Sequence, residues 1–151
     1  MRLTTMTDYA LRLLMYVAQQ PERLCTISEV ARVHDISEAH VMKVTHQLGL
    51  LGWIETVRGK GGGMRLARPP SDINLGAVVR GIESDFALVE CFSTESQCAL
   101  TNKCQLAKVM DGALQSFMAH LDEFSLADIR PRTNRSALVI RRMTVKREKT
   151  S

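Results

Sequence analysis

Three cysteines, Cys91, Cys98 and Cys104, fall within fourteen residues in the pattern C-x6-C-x5-C. Sulfur at that density on one short stretch points to a disulfide, a zinc site, a thiol switch or an iron–sulfur cluster. An odd number of thiols in a chain with no export signal argues against disulfides. Structural zinc favours C-x2-C pairs, which are absent. A thiol beside Lys103 has the electrostatic setting of a redox sensor. Soft thiolates on a loop with wide gaps suit cluster iron. Spacing alone leaves the last two readings level. A cluster needs a fourth ligand. Glu90, Glu95 and Asn102 are the candidates on the stretch itself, and Asp8, Cys25 or a histidine are the remote ones. Cys25 is far off in sequence and reads as a buried or partly buried thiol.

The rest of the chain must position this stretch. Its 151 residues allow one domain or one domain with an appendage. With 45% apolar and 24% charged residues it has the balance of a soluble protein, and 5% aromatics demand an aliphatic core. No apolar run is long enough to cross a bilayer, and the N-terminus lacks a signal-peptide pattern. A cytoplasmic protein is expected. The net charge of +4 is unevenly placed. Residues 130–151 hold eight basic residues against one acidic, leaving twelve basic and fifteen acidic in the remainder. Total charge therefore says little about nucleic acid, and local charge must decide.

Thr7 is a possible N-cap, followed by Asp8 in a first turn. The run YALRLLMYVA after it is apolar on nearly all sides, as in a central helix, and PER should end it. Thr26 with Glu29 forms a capping-box signal, with Ile27, Val30, Ala31 and Val33 as a short apolar face. After the tight turn His34-Asp35-Ile36, Ser37 should cap a second helix. Val41, Val44, Leu48 and Leu51 would point inward there, and Glu38, His40, Lys43, His46 and Gln47 outward. That is a helix-turn-helix pattern, although an ordinary helical hairpin would look the same. Two short strands follow, 53–57 and 64–67, around RGKGGG. Its glycines permit close approach to phosphate. Its cations, with Arg65 and Arg68 behind them, suit backbone or minor groove. Helix-turn-helix and basic hairpin together read as a winged helix-turn-helix, with Trp53 packing at the root of the wing.

Ser71 should cap a helix over 73–83. The cysteine loop then spans 84–104. A long helix over 105–123 carries Leu106, Met110, Ala113, Phe117, Leu121 and Phe124 at alternating steps of four and three, a coiled-coil-like seam. No helix of equal length is available to cover it, so a homodimer is expected. Ser125 should cap a last short helix, LADI, before a solvated basic tail. The expected fold class is mainly α with a small β-hairpin. Its parts are a winged helix-turn-helix over 1–83, a cysteine loop over 84–104, a dimerisation helix over 105–129 and a tail over 130–151. No nucleophile–base pairing or nucleotide motif marks an enzyme.

Residues 1–129 resemble the family of iron–sulfur winged-helix repressors that includes the IscR and NsrR regulators. The resemblance rests on MRLT, TDYALRLLMY, VRGKGGGMRLARPP, INLGAVVRGIE, the three cysteines and SFMAHLDEFSLADI, in that order. TDYALR and VECFSTESQC are most similar to the nitric-oxide-sensing branch, with the rhizobial iron-responsive branch second. The resemblance implies a homodimer on double-stranded operator DNA, with nitric oxide as signal and no membrane partner. It implies a [4Fe-4S] or [2Fe-2S] cluster held by Cys91, Cys98 and Cys104, with Asp8 completing the site from the opposite subunit and Arg12 near it. On the residues alone, Asp8 is a first-turn carboxylate paired with Arg12 at i+4. The expected DNA-contacting set is Ser37, Glu38, His40, Val41, Lys43, Val44 and Gln47 on the second helix of the motif. To these the wing adds Arg58, Gly59, Lys60, Gly61, Gly62 and Arg65.

Overall fold

The structure, a computed structural model, describes residues 2–93, 95–100 and 103–131. Helix α1, Thr5–Ala18, is the centre of the fold. It packs against the second and third helices, the hairpin and the helix after the wing. Ala10, Leu13, Leu14 and Val17 are at most 2% exposed, which explains its nearly uniform apolar composition. Thr4, not Thr7, is its N-cap and accepts a hydrogen bond from the Thr7 N–H. Thr7 lies one turn inside, where its hydroxyl is fully buried and donates to Glu83. The helix ends at Ala18, before Pro21, with Gln19 as C-cap.

Helix α2, Ile27–His34, opens with the full Thr26–Glu29 capping box. Val30 and Ala31 reach the core, but Val33 is 47% exposed, because an eight-residue helix has room for only one buried stripe. Asp35 then turns the chain with a left-handed backbone, φ 55°, a conformation that Asp tolerates better than most residues. Ser37 caps helix α3, Glu38–Leu50, as expected.

Strands β1, Ile54–Val57, and β2, Gly63–Leu66, pair antiparallel, with Glu55 opposite Arg65 and Thr56 opposite Met64. Cys25 joins their edge by two backbone hydrogen bonds with Met64, at 2.9 and 2.8 Å, and its thiol is fully buried. Trp53 packs partly buried at the wing's root, with the Arg68 guanidinium 5.1 Å from its ring centre.

Helix α4 is shorter than expected, Leu75–Ile82. Residues Pro70–Asp72 form a 3-10 turn, so Ser71 cannot cap, and Asn74 does so by accepting from the Ala77 N–H. The Asn74 amide also donates to the Asp122 carbonyl at 2.8 Å, fastening α4 to the end of α5. Helix α5, Gln105–Asp122, buries only Met118. Met110, Phe117 and Leu121 are half-buried, whereas Leu106 and Val109 are 58% and 66% exposed. The expected terminal helix does not form. Ser125 and Asp128 close a turn in which the Asp128 carboxylate accepts from the Ser125 N–H and hydroxyl, each at 2.7 Å. The proposed tail lies outside the described residues beyond Pro131. Among the described residues no helix is long and apolar enough to cross a membrane.

Candidate nucleic-acid interface and cysteine loop

Core packing fixes which face of α3 is available. Val41, Val44, Thr45 and Leu48 are turned into the fold. Val41 and Val44 are each 1% exposed, so they hold the helix in place and do not meet DNA, which corrects their expected role. The opposite face presents Glu38, His40, Lys43 and His46 to solvent, with Gln47 half-buried beside them. Ser37 does two jobs at the start of α3. Its Oγ accepts from the His40 N–H at 3.3 Å and lies 2.8 Å from His40 Nδ1. The His40 ring also lies 6.0 Å from that of Tyr9 on α1. A side chain held by both the cap and α1 has a set orientation on the exposed face of α3.

The wing tip is built from glycine for a specific reason. Gly59 and Gly61 have φ of 94° and 75°, and the Gly62 N–H closes the turn onto the Gly59 carbonyl at 3.0 Å. A Cβ on Gly62 would lie 2.2 Å from the Val57 carbonyl oxygen. This tight tip carries Arg58 and Lys60 outward, both exposed. Among the described residues neither makes an ion pair. Arg65 differs: it is paired across the strands with Glu55 at 3.0 Å, and that neighbour holds the Glu55 carboxyl below its ordinary range.

Among the described residues of 84–104, the 3-10 turn Glu90–Phe92 is the one helical element. Glu90 and Gln97 immediately precede Cys91 and Cys98, and the Glu90 carboxylate accepts from the Gln97 N–H at 3.2 Å. That hydrogen bond folds the loop so that the flanks of two cysteines meet. It also occupies one carboxylate oxygen of a candidate fourth ligand. Cys104 is the N-cap residue of α5, with no side-chain cap bond. A thiolate there would sit at the positive end of an eighteen-residue helix. All three loop thiols are half-buried, and none of the four cysteines is in a disulfide. Among the described residues no three Cys, His, Asp or Glu side chains converge at metal-binding separation. The donor set fits cluster iron by chemistry, but the described residues of one chain do not assemble it. Asn102 lies outside the described residues.

Asp8 is not beside the cysteines. It forms an ion pair with Arg12 at 2.9 Å, the arrangement that α-helix spacing alone provides. Both line a cleft of about 600 Å³ with Arg2, His34 and Asp35, the last two being the end of α2 and the turn that leads to α3. Burial there holds the His34 imidazole below its ordinary pKa. The cleft thus joins the candidate remote ligand to the turn of the DNA-reading motif. Patterning did not reveal this neighbourhood, because the cleft forms only when α1 packs on the motif.

A rigid α3 with a polar outer face, beside a glycine-bent cationic hairpin, defines a winged helix-turn-helix transcriptional regulator. A family model described as Rrf2, iron-dependent transcriptional regulator, matches residues 3–132. The chain is 45% identical over 131 residues to the HTH-type transcriptional regulator NsrR of Bacillus subtilis, covering 85% of this chain and 90% of that one. It is 46% identical, with the same coverage, to the NsrR regulator of Halalkalibacterium halodurans. The solved structure of T. potens IscR superposes with a TM-score of 0.68 at 25% identity, covering 85% of both chains. The chain belongs to the Rrf2 family of transcriptional regulators, and these relatives are DNA-binding regulators rather than enzymes.

Proposed function

We propose that this regulator is a homodimeric repressor that grips operator DNA while an iron–sulfur cluster is bound, and releases it on exposure to nitric oxide. The observation that carries the reading is the loop itself. Glu90 and Gln97 draw the flanks of Cys91 and Cys98 together, and Cys104 opens the helix whose apolar seam is only partly covered. The similarity to regulators named NsrR supports nitric oxide as the signal. Cys91, Cys98 and Cys104 would hold a [4Fe-4S] or [2Fe-2S] cluster, with Asp8 of the partner subunit as the fourth ligand. Such a cluster supplies iron that reacts with nitric oxide, most readily where a hard carboxylate is the ligand.

The chain's own residues then account for the response. The seam on α5, Leu106 through Leu121, with Phe124 just past its end, would pack against its copy and fix the spacing of two α3 helices. His40, Lys43 and Gln47 would face bases in the major groove, with Ser37 and Glu38 at the helix start. Arg58, Gly59, Lys60, Gly61, Gly62 and Arg65 would serve phosphates and the minor groove. Releasing Asp8 would free the cleft it shares with Arg12, His34 and Asp35, and so loosen the turn that orients α3. Half-sites demand fixed spacing, so loosening both heads costs affinity twice.

A second reading follows from the family's description as iron-dependent: the same loop would report iron or cluster supply. One experiment separates the two. Protein purified without oxygen is assayed for iron, acid-labile sulfide and visible absorption, then for operator binding before and after nitric oxide or an iron chelator. Nitric oxide should release DNA from the loaded protein. Release by chelator alone favours iron supply. Colourless, iron-free protein whose DNA binding follows thiol oxidation replaces the cluster with a thiol switch.

A further inference from the structure

We propose that Ala39 and Met42 form an apolar step on α3 that takes the C5 methyl group of thymine, so that operator choice depends on a methyl contact as well as on hydrogen bonds. The inference deepens the reading of α3 as the DNA-facing helix and rests on it. It starts from how the helix is turned. Val41, Val44, Thr45 and Leu48 are buried. At 3.6 residues per turn, the direction opposite them runs through Ala39, Lys43 and His46, with Met42 on one shoulder and Gln47 on the other. The Gln47 shoulder is half-buried, and His40 beyond it has its ring 6.0 Å from that of Tyr9. The Met42 shoulder is open. Ala39 is exposed, and Met42 is 59% exposed. Three residues apart, the two side chains are neighbours on the helix surface.

A single exposed apolar side chain is ordinary on a protein surface, so what matters is the place. Ala39 and Met42 are the second and fifth residues of α3, in the half of a recognition helix that meets base edges in the major groove. Met42 lines a cleft of about 400 Å³ between α3 and the wing, with Thr45, His46 and Leu50 beside it and Ile54 and Thr56 across from it. Among the described residues no Asp, Glu, Lys or Arg lines that cleft. Lys43 next to it, and Arg58 and Lys60 at the wing tip, are exposed cations.

An apolar step rimmed by cations fits a duplex whose backbone the cations hold and whose groove presents an apolar group. In the major groove that group is the thymine methyl, which Ala and other apolar side chains contact. Methionine suits the task, because its rotatable bonds and polarisable thioether let it follow the methyl into the groove. A second copy of the chain is a poorer occupant, since the seam that a dimer would use lies on α5.

The test uses the full chain, purified without oxygen. The protein first selects its tightest duplexes from random-sequence DNA. Each thymine of a selected duplex is then replaced in turn by deoxyuridine, which removes the methyl and keeps every hydrogen-bonding group. At one or two positions the parent should lose about fourfold in affinity for each methyl, the worth of one CH₂ group withdrawn from water. Met42→Ala should bind the unmodified duplex about as weakly as the parent binds the uracil duplex, and uracil at those positions should cost it little more. Met42→Leu keeps an apolar side chain and should keep most of the uracil penalty. Parent affinity that is indifferent to uracil at every thymine would overturn the inference and leave the apolar step to a protein partner. So would a Met42→Ala variant that pays the same uracil penalty as the parent. A parent protein that selects no sequence at all would overturn the reading of α3 itself, and this inference with it.

Discussion

The Thr7 hydroxyl donates to the Glu83 carboxylate at 2.6 Å across 76 residues of chain. The same Glu83 oxygen accepts from the Thr4 N–H at 3.1 Å and the Thr4 hydroxyl at 3.2 Å. Glu83 is the last residue before the cysteine loop, and Thr4 and Thr7 begin the helix that carries Asp8. One carboxylate thus pins the start of the loop to the first turn of α1. Thr7→Val keeps the side-chain shape but removes the strongest donor from a partly buried charge. It should cost about 1–3 kcal/mol in denaturant unfolding. Glu83→Gln should cost less than Glu83→Ala, because an amide oxygen still accepts from the threonines.

Acid sensitivity should trace to a different cluster. The Arg23 guanidinium hydrogen-bonds the Glu29 carboxylate, which also accepts from Tyr16, and together they pull its pKa down to about 2 from an ordinary 4.5. A depressed carboxylate contributes stability that is complete above its unfolded value and is lost as pH falls through the folded one. The window is therefore from about 4.5 down to about 2, and stability should fall steadily as pH drops through it. Glu29→Gln retains a capping-box residue but has no charge to lose. Its unfolding free energy should be lower at neutral pH and flatter across that window.

The wing and α3 should fail differently. Lys60→Ala removes an exposed cation with no ion-pair partner among the described residues. Affinity should drop by a similar factor on operator and unrelated DNA, with the salt slope shallower by about 0.9 per phosphate. Gln47→Ala or Lys43→Ala should instead narrow the gap between operator and unrelated DNA, each base contact being worth about 1–3 kcal/mol. A base-selective loss from Lys60→Ala would move that residue from phosphate to base recognition.

Gly62→Ala tests whether the tip's shape matters apart from its charge. The added Cβ would meet the Val57 carbonyl oxygen at 2.2 Å, and that atom is backbone in a paired strand. The turn must open, displacing Lys60 without changing any charge. DNA affinity should fall at least as far as in Lys60→Ala. The thermal midpoint should move little, since the tip buries no core residue.

Much of this organisation was legible in the residues. Local signals are complete within a few positions, so Thr26 with Glu29, the Ser37 cap and the glycine hairpin all formed where spacing put them. The misses share one cause: they depend on distant partners. Thr7 resembles an N-cap until Glu83 arrives from the far side to claim its hydroxyl. Ser71 resembles one until Pro69 and Pro70 impose a 3-10 turn, leaving Asn74 to cap α4 and grip the end of α5. LADI has helical composition, yet Leu126 and Ala127 spend their N–H groups on Ile73 and Pro70. Val41 and Val44 had an inward pattern from the start, and burial decides against a DNA role. For the cysteines, sequence gives the donors but not their convergence, which the described residues of one chain do not show.

Asp8 offers the sharpest separation between a helix-surface pair and a cluster ligand. Its partner Arg12 sits one turn away, and both side chains are nearly half exposed, at 48% and 44%. An i,i+4 pair with that exposure is worth about 0.3–0.5 kcal/mol. If the pair were its only role, Asp8→Ala would leave the thermal midpoint almost unchanged and do nothing else. As the fourth ligand, its loss should leave stability of the cluster-free fold equally unchanged but alter the loaded protein. The visible absorption should shift, and iron should leave faster to a chelator. Cys98→Ala should abolish the absorption outright, because one remaining carboxylate and two thiolates cannot replace a soft ligand. Loaded Asp8→Ala protein with parental spectrum and parental iron release would return Asp8 to its pairing with Arg12 and pass the fourth position to another donor, with Glu95 the next to vary.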